Sequence, residues 1–239
     1  MKTLKNIGKL QVIDKIQDGA GKRIAKDFLR QLLEEFSRCS FRHIDFFDYG
    51  IAPFAYREKQ VHSVIAPAIS KITKNAFLME CPVNREWSKK EKKLEDNAGW
   101  LDYWCRYREF DFFIELKHSY FKYGKSVRKD TKEKWGQSVE QLDLLGSEAE
   151  AYSKDCKGVI TIALEVVTIF DTLKDYKDIP NHKIDIMLEM QKQCFDSLNP
   201  APNWSGLWML HKDLTKKTRF EFETSIEIYP GVILIAKAD

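Results

Sequence analysis

The run Phe112-Phe113-Ile114-Glu115-Leu116-Lys117 sets a carboxylate and an ammonium two residues apart in apolar surroundings. Its aromatic and β-branched enrichment predicts a strand over Asp111 to His118, in which residues i and i+2 share a face. Glu115 and Lys117 therefore point the same way. A charged pair rising from a buried strand either offsets its own desolvation cost or is held there for use. The preceding strand, expected over Trp100 to Tyr107, contributes Asp102. A hairpin centred on Arg108 and Glu109 sets Asp102 opposite Glu115, and one centred on Glu109 and Phe110 sets it opposite Lys117. In either register the three side chains lie about 5 Å apart at Cβ or one diagonal step further. No Asn-Gly pair selects between the two registers.

Two carboxylates converging beside a lysine are oxygen donors of the kind that hold Mg²⁺ while leaving room for water and a phosphate. Such an ion acidifies a bound water and offsets charge growing on phosphate oxygens. Lys117 would orient the water or stabilise the transition state. Glu58 is a further candidate. It lies at the margin of the helical face formed by Val61, Val64, Ile65, Ala68, Ile69 and Ile72. A first-turn carboxylate is equally the ordinary complement of a helix dipole.

These residues need a scaffold, and the pattern supplies one. An amphipathic helix follows Gly19-Ala20-Gly21, carried by Ile24, Phe28, Leu29, Leu32, Leu33 and Phe36. The Glu58 helix, weakened at Pro67, leads into strands at Ala76 to Val83, Trp100 to Tyr107 and Asp111 to His118, with an exposed loop from Asn84 to Ala98. A helix over Thr131 to Gly146 and a strand over Val159 to Phe170, too apolar for one-sided burial, follow. A helix from Ile184 to Leu198 and strands over Gly206 to His211 and Glu221 to Ile235 close the chain. The expected class is α/β, a mixed central sheet flanked by helices. The expectation is one domain over residues 1–239, with a core about 56–170, an N-terminal helical extension about 1–40 and a C-terminal helix and strand extension about 178–239.

The order helix, three strands, helix, strand, together with Asp102 and Glu115-Leu116-Lys117, resembles the PD-(D/E)xK nuclease superfamily and its restriction-endonuclease-like fold. The resemblance covers about half the chain, with Leu101 where the motif has proline. It implies that Asp102 and Glu115 hold Mg²⁺ or Mn²⁺ with the Leu116 carbonyl as a further ligand, that Glu58 assists, and that Lys117 acts on the nucleophile or the developing charge. It also implies a glutamine on the following helix, Gln137 or Gln141. The expected activity is metal-dependent hydrolysis of phosphodiester bonds, of DNA ahead of RNA and by endonucleolytic cutting, with a homodimer where both strands are cut. The alternative is a binding module that keeps the fold without catalysis.

Charge supports a phosphate-rich partner locally rather than globally. The chain of 239 residues has a net charge of only +3. From Lys117 to Lys134, however, seven Lys and Arg face only Asp130 and Glu133. Lys122, Lys125, Arg128, Lys129 and Lys134, with Gln137, are the candidate nucleic-acid contacts, and Tyr120, Phe121 and Tyr123 are available to stack on bases. Gly124-Lys125-Ser126 resembles the end of a P-loop, but Ser119 stands where the first glycine belongs and bulky aromatics fill the loop. Five widely spaced cysteines form no CxxC pair and read as thiols of a reducing cytoplasm. Cys105 reads as core. Of the dispersed histidines only His62, one turn beyond Glu58, borders the expected cleft. No signal peptide and no membrane span are expected.

Overall fold

The computed structural model describes residues 1–47, 52–84, 98–145, 155–174 and 182–239, with Ala149, Ser153 and Pro180. The periodic stretch after Gly19 forms one long helix, α1 (Ala20–Phe47), whose Phe28, Leu29, Leu32 and Phe36 are completely buried. A 3₁₀ turn (Pro53–Ala55) leads into α2 (Glu58–Thr73). Pro67 faces solvent and interrupts neither the helix nor its buried stripe. Three strands follow: β3 (Phe77–Asn84), β4 (Ala98–Tyr107) and β5 (Phe110–Lys122). Helix α3 (Lys129–Asp143) then crosses over to β6 (Gly158–Leu173), which lies parallel to β5. A parallel neighbour requires such a crossover.

The strands on either side of this unit extend the same sheet. Near the N-terminus are β1 (Lys2–Leu4) and β2 (Gly8–Asp14). Beyond β6 come α4 (Ile184–Ser197), β7 (Trp204–Leu210), the short α5 (Lys212–Lys217), β8 (Phe220–Glu221) and β9 (Ile226–Ala238). The order across the sheet is β1-β2-β7-β9-β6-β5-β4-β3, with β8 on β9, and every described pairing other than β5 with β6 is antiparallel. The fold is thus α/β, with a mixed open sheet between helical layers. One face packs Phe112, Ile114, Leu116, Val166, Trp204 and Trp208 against α1 and α2. The other packs Phe113, Phe121, Val167, Ile233 and Ile235 against α3 and α4. Among the described residues no helix is long and apolar enough to cross a membrane.

Two differences from the sequence expectation concern the ends of the chain. Residues 1–40 are not wholly helical, because β1 and β2 form a hairpin before α1, and β2 pairs along its length with β7. The signal is tertiary. At Gly8, φ is 140°, and a Cβ there would lie 2.0 Å from the Met209 carbonyl oxygen, so the close approach of two strands fixes the residue type. The strand expected over Glu221 to Ile235 is divided into β8 and β9 by a turn in which the Phe222 N–H donates to the Ser225 carbonyl. The loop expected over Asn84 to Ala98 falls, but for its two end residues, outside the described residues.

Candidate active site where two strands part

The turn between β4 and β5 settles the register. Arg108 and Glu109 have φ of 48° and 66°, the signature of a two-residue type I′ hairpin, here without glycine or asparagine. The ladder runs from Tyr107↔Phe110 to Tyr103↔Ile114, a register in which Asp102 comes opposite Glu115. There the pairing stops. The β3–β4 ladder is interrupted at the same level, between Met79↔Tyr103 and Cys81↔Leu101, where Glu80 has φ of 48°. Leu101 packs with one hydrophobic layer and Tyr103 with the other, although residues two apart on a regular strand share a face. Both strands therefore kink at Asp102.

On its β4 side the kink leaves the Leu116 backbone without a ladder partner, and side chains take the place of the missing strand. Asp102 Oδ2 accepts the Leu116 N–H at 2.7 Å. The carbonyl of a strand residue points the same way as its N–H, so Leu116 O faces the same gap. Lys117 Nζ donates to it at 3.2 Å and to Glu115 Oε1 at 3.0 Å. Glu115 is nearly inaccessible, and the Lys117 side chain keeps 15% of its surface. Two of the expected metal donors, Glu115 and the Leu116 carbonyl, thus converge on one cation, and the third, Asp102, is fixed to the same backbone unit.

The α2 side of the gap carries Asp102's other neighbour. His62 Nε2 stands 4.0 Å from Asp102 Oδ1, and His62 Nδ1 is 2.5 Å from the Tyr103 hydroxyl. Burial, with the charges of Asp102 and Glu58, pushes the Tyr103 hydroxyl up, which keeps it neutral. Glu58 opens α2 and is half-buried. Its charge is felt at Tyr103 and at Glu165. The turn before α2 is fixed from below, because Phe54 O accepts from Thr168 Oγ1 at 2.6 Å and lies 3.1 Å from His118 Nε2. Burial and Lys134 hold the His118 imidazole down at about 4.

Glu165 is the site neighbour that sequence reading passed over. It faces Lys117 across the β5–β6 pair and is completely buried. One oxygen meets Ser119 Oγ at 2.5 Å, while the other has no hydrogen-bond partner among the described residues. Burial raises its carboxyl from the ordinary 4.5 to about 8, with the Ser119 hydrogen bond acting against the rise. A lone carboxylate in Ile160-Thr161-Ile162-Ala163-Leu164-Glu165-Val166-Val167, a run expected to be buried on both faces, was the available signal.

The basic candidates divide. Lys125, Arg128 and Lys129 are exposed and Lys122 partly so, with Lys129 3.2 Å from Glu133. Lys134 is turned inward, donating to the His118 carbonyl at 2.8 Å beside Asp130 at 3.3 Å. Gln137 is exposed, whereas Gln141 has a buried Oε1 with no partner among the described residues. Cys105 is core, as expected, and its thiol is pushed up by burial. The Gly124-Lys125-Ser126 turn is exposed.

Among the described residues no three His, Cys, Asp or Glu side chains gather in a cluster that would hold a metal ion. The donor set suits a hard ion nonetheless, since Mg²⁺ takes one or two carboxylates and keeps several waters. Asp102, Glu115 and the Leu116 carbonyl are all oxygen donors. No family model matches the chain, and no curated protein or solved structure matches it.

Proposed function

We propose that the protein is a Mg²⁺- or Mn²⁺-dependent nuclease of the PD-(D/E)xK type that hydrolyses phosphodiester bonds of DNA endonucleolytically. The observation that carries this reading is the capture of the Leu116 N–H by Asp102 where β4 leaves β5, beside the Glu115–Lys117 pair. Asp102, Glu115 and the Leu116 carbonyl would hold the ion, with Glu58 assisting from α2. Bound there, the ion supplies an acidified water and offsets charge on the phosphate oxygens.

The remaining work falls to the chain's own groups. With Glu115 and Leu116 O engaged by the ion, the Lys117 ammonium would turn its three N–H donors to a water or a phosphate oxygen. His62 braces Asp102 from the α2 side. Lys122, Lys125, Arg128 and Lys129, on the segment that follows Lys117, would meet the phosphate backbone and make binding salt-dependent.

The test is cleavage of supercoiled plasmid, linear duplex, single-stranded DNA and RNA with Mg²⁺ or Mn²⁺, comparing wild type with Asp102→Asn and Lys117→Met. Metal-dependent cutting lost in both variants supports the reading. Equal cutting by all three proteins, or none by any, would leave a binding module in its place.

A further inference from the structure

We propose that a second pocket, formed by Tyr56, Tyr120, Phe170, Phe220, Phe222 and Tyr229, holds a single nucleotide, its base among the rings and its phosphate at Arg128. The cavity is about 350 Å³ and has Arg128 and Glu227 in its wall along with the rings. A β-bulge builds it. Ile169 pairs with Gly231 and Asp171 with Ile228, so Phe170 faces two residues, Tyr229 and Pro230, of the neighbouring strand. Bulges re-aim side chains, and this one turns Phe170 and Tyr229 into the cavity.

The rings brace one another. Phe220 meets Tyr56 edge-on at 6.0 Å between centroids and Phe222 at 4.9 Å, and Tyr120 meets Phe170 at 6.4 Å. The Tyr120 hydroxyl donates to the Tyr56 carbonyl. Tyr229 donates to Glu227 Oε2 at 2.9 Å, which fixes the carboxylate and leaves Oε1 as an acceptor. Phe222 is half exposed and forms the rim.

The mixture of groups selects the ligand. Aromatic faces and a carboxylate would also suit a quaternary ammonium ion, but Arg128 in the wall opposes a cation. A nucleotide uses every feature: a flat base for the rings, N–H groups on its edge for Glu227, and a phosphate for the Arg128 guanidinium. Tyr56 lies two residues before Glu58, whereas Tyr120, three residues beyond Lys117, points to the opposite face of the sheet, the one packed by α1 and α2. A strand running to the candidate site would place a base here only by passing along the Tyr56–Glu58 segment at the start of α2. That source of the nucleotide rests on the nuclease reading, whereas the pocket's chemistry does not.

The experiment uses the full chain with EDTA, so that binding is read without cleavage. A single-stranded oligonucleotide carrying one 2-aminopurine, a fully paired duplex, guanosine 5′-monophosphate and choline are titrated against wild type, Phe222→Ala and Glu227→Gln. A saturable fluorescence change with the single strand, roughly ten-fold weaker in Phe222→Ala, supports the proposal with a strand as source. Phe222-dependent binding of the monophosphate alone supports it with a free nucleotide as source. Oligonucleotide binding equal in wild type and Phe222→Ala, with no response to the monophosphate, overturns the pocket and leaves the nuclease reading standing. Absence of binding by every nucleotide probe, or a response to choline alone, also overturns it.

Discussion

Lys117 and Glu165 face each other across the parallel pair of strands at the centre of the sheet, on the face that also carries Glu115 and Ser119. The two carboxylates are in different surroundings. Glu115 accepts from the Lys117 ammonium at 3.0 Å, whereas burial keeps Glu165 protonated up to about pH 8. Lys117 thus stands beside a carboxylate that accepts its hydrogen bond and opposite one that burial holds neutral through most of the physiological range.

Glu165 gives stability a measurable pH dependence. Its folded value lies above the ordinary 4.5, so the folded state holds a proton that the unfolded state has lost, and stability falls as pH rises from 4.5 to about 8. His118 acts in the opposite direction. Its value is depressed from 6.5 to about 4, so its contribution is present above 6.5 and is lost as pH falls toward 4. The two slopes oppose each other between 4.5 and 6.5, leaving the Glu165 effect to dominate from 6.5 to 8. Glu165→Gln should flatten that upper limb and raise stability at pH 8 by a few kcal/mol, since each tenfold change in proton affinity on folding is worth about 1.4 kcal/mol. Urea unfolding at half-unit pH steps is the check; a parallel decline in wild type and variant would refute it.

Removal of the Lys117 charge should affect folding as well as function. Its partner Glu115 is almost wholly buried. Breaking one side of such a pair costs about 3 kcal/mol, whereas replacing both sides is nearly neutral. Lys117→Met should therefore lower the urea midpoint and Glu115→Gln/Lys117→Met should restore much of it. A double-mutant cycle with no coupling would remove this account of the pair.

Much of the candidate site was legible in the sequence. Strand pairing at period two brought Asp102, Glu115 and Lys117 near one another in either of two registers, and the helical stripe placed Glu58 at the edge of the buried face of its own helix. The break in the sheet was not legible. Nothing in Trp100-Leu101-Asp102-Tyr103 signals that Leu101 and Tyr103 enter opposite layers, because the kink is set jointly by Glu80 on the neighbouring strand and by the Leu116 N–H. The β1–β2 hairpin was missed for a similar reason. Its main partner, β7, lies about 190 residues away, and loop closure over that distance leaves no local trace. The inward turn of Lys134 depends on the His118 carbonyl, a contact no charge count contains.

Asp102 separates two roles that alanine would confuse. Asp102→Ala removes the acceptor of the Leu116 N–H and should cost about 1–3 kcal/mol of stability. Asp102→Asn keeps an oxygen acceptor in the same place and removes only the charge. The asparagine variant should unfold close to wild type while losing saturable Mg²⁺ or Mn²⁺ heat in calorimetry. If it binds the ion as wild type does, Asp102 serves the backbone alone.

The hairpin that sets the register should tolerate improvement. Arg108 and Glu109 both occupy the left-handed region, which favours asparagine and glycine. Their own contacts are exposed: Arg108 with Asp27 at 2.6 Å, and Glu109 with Lys157 at 2.6 Å. Exposed pairs of this kind contribute little. The double substitution Arg108→Asn/Glu109→Gly relieves two strained residues for the loss of two weak ion pairs and the exposed Arg108 stack on Tyr107, and should stabilise the protein by about 1 kcal/mol, raising the urea midpoint with the slope unchanged. Because the substituted turn keeps the register that brings Asp102 opposite Glu115, the proposed metal-dependent nuclease should have the same Mg²⁺ or Mn²⁺ affinity as variant and as wild type. A stabilised protein with altered metal affinity would mean that the turn does more than hold the register, and a destabilised one that the Arg108 and Glu109 contacts outweigh the backbone strain.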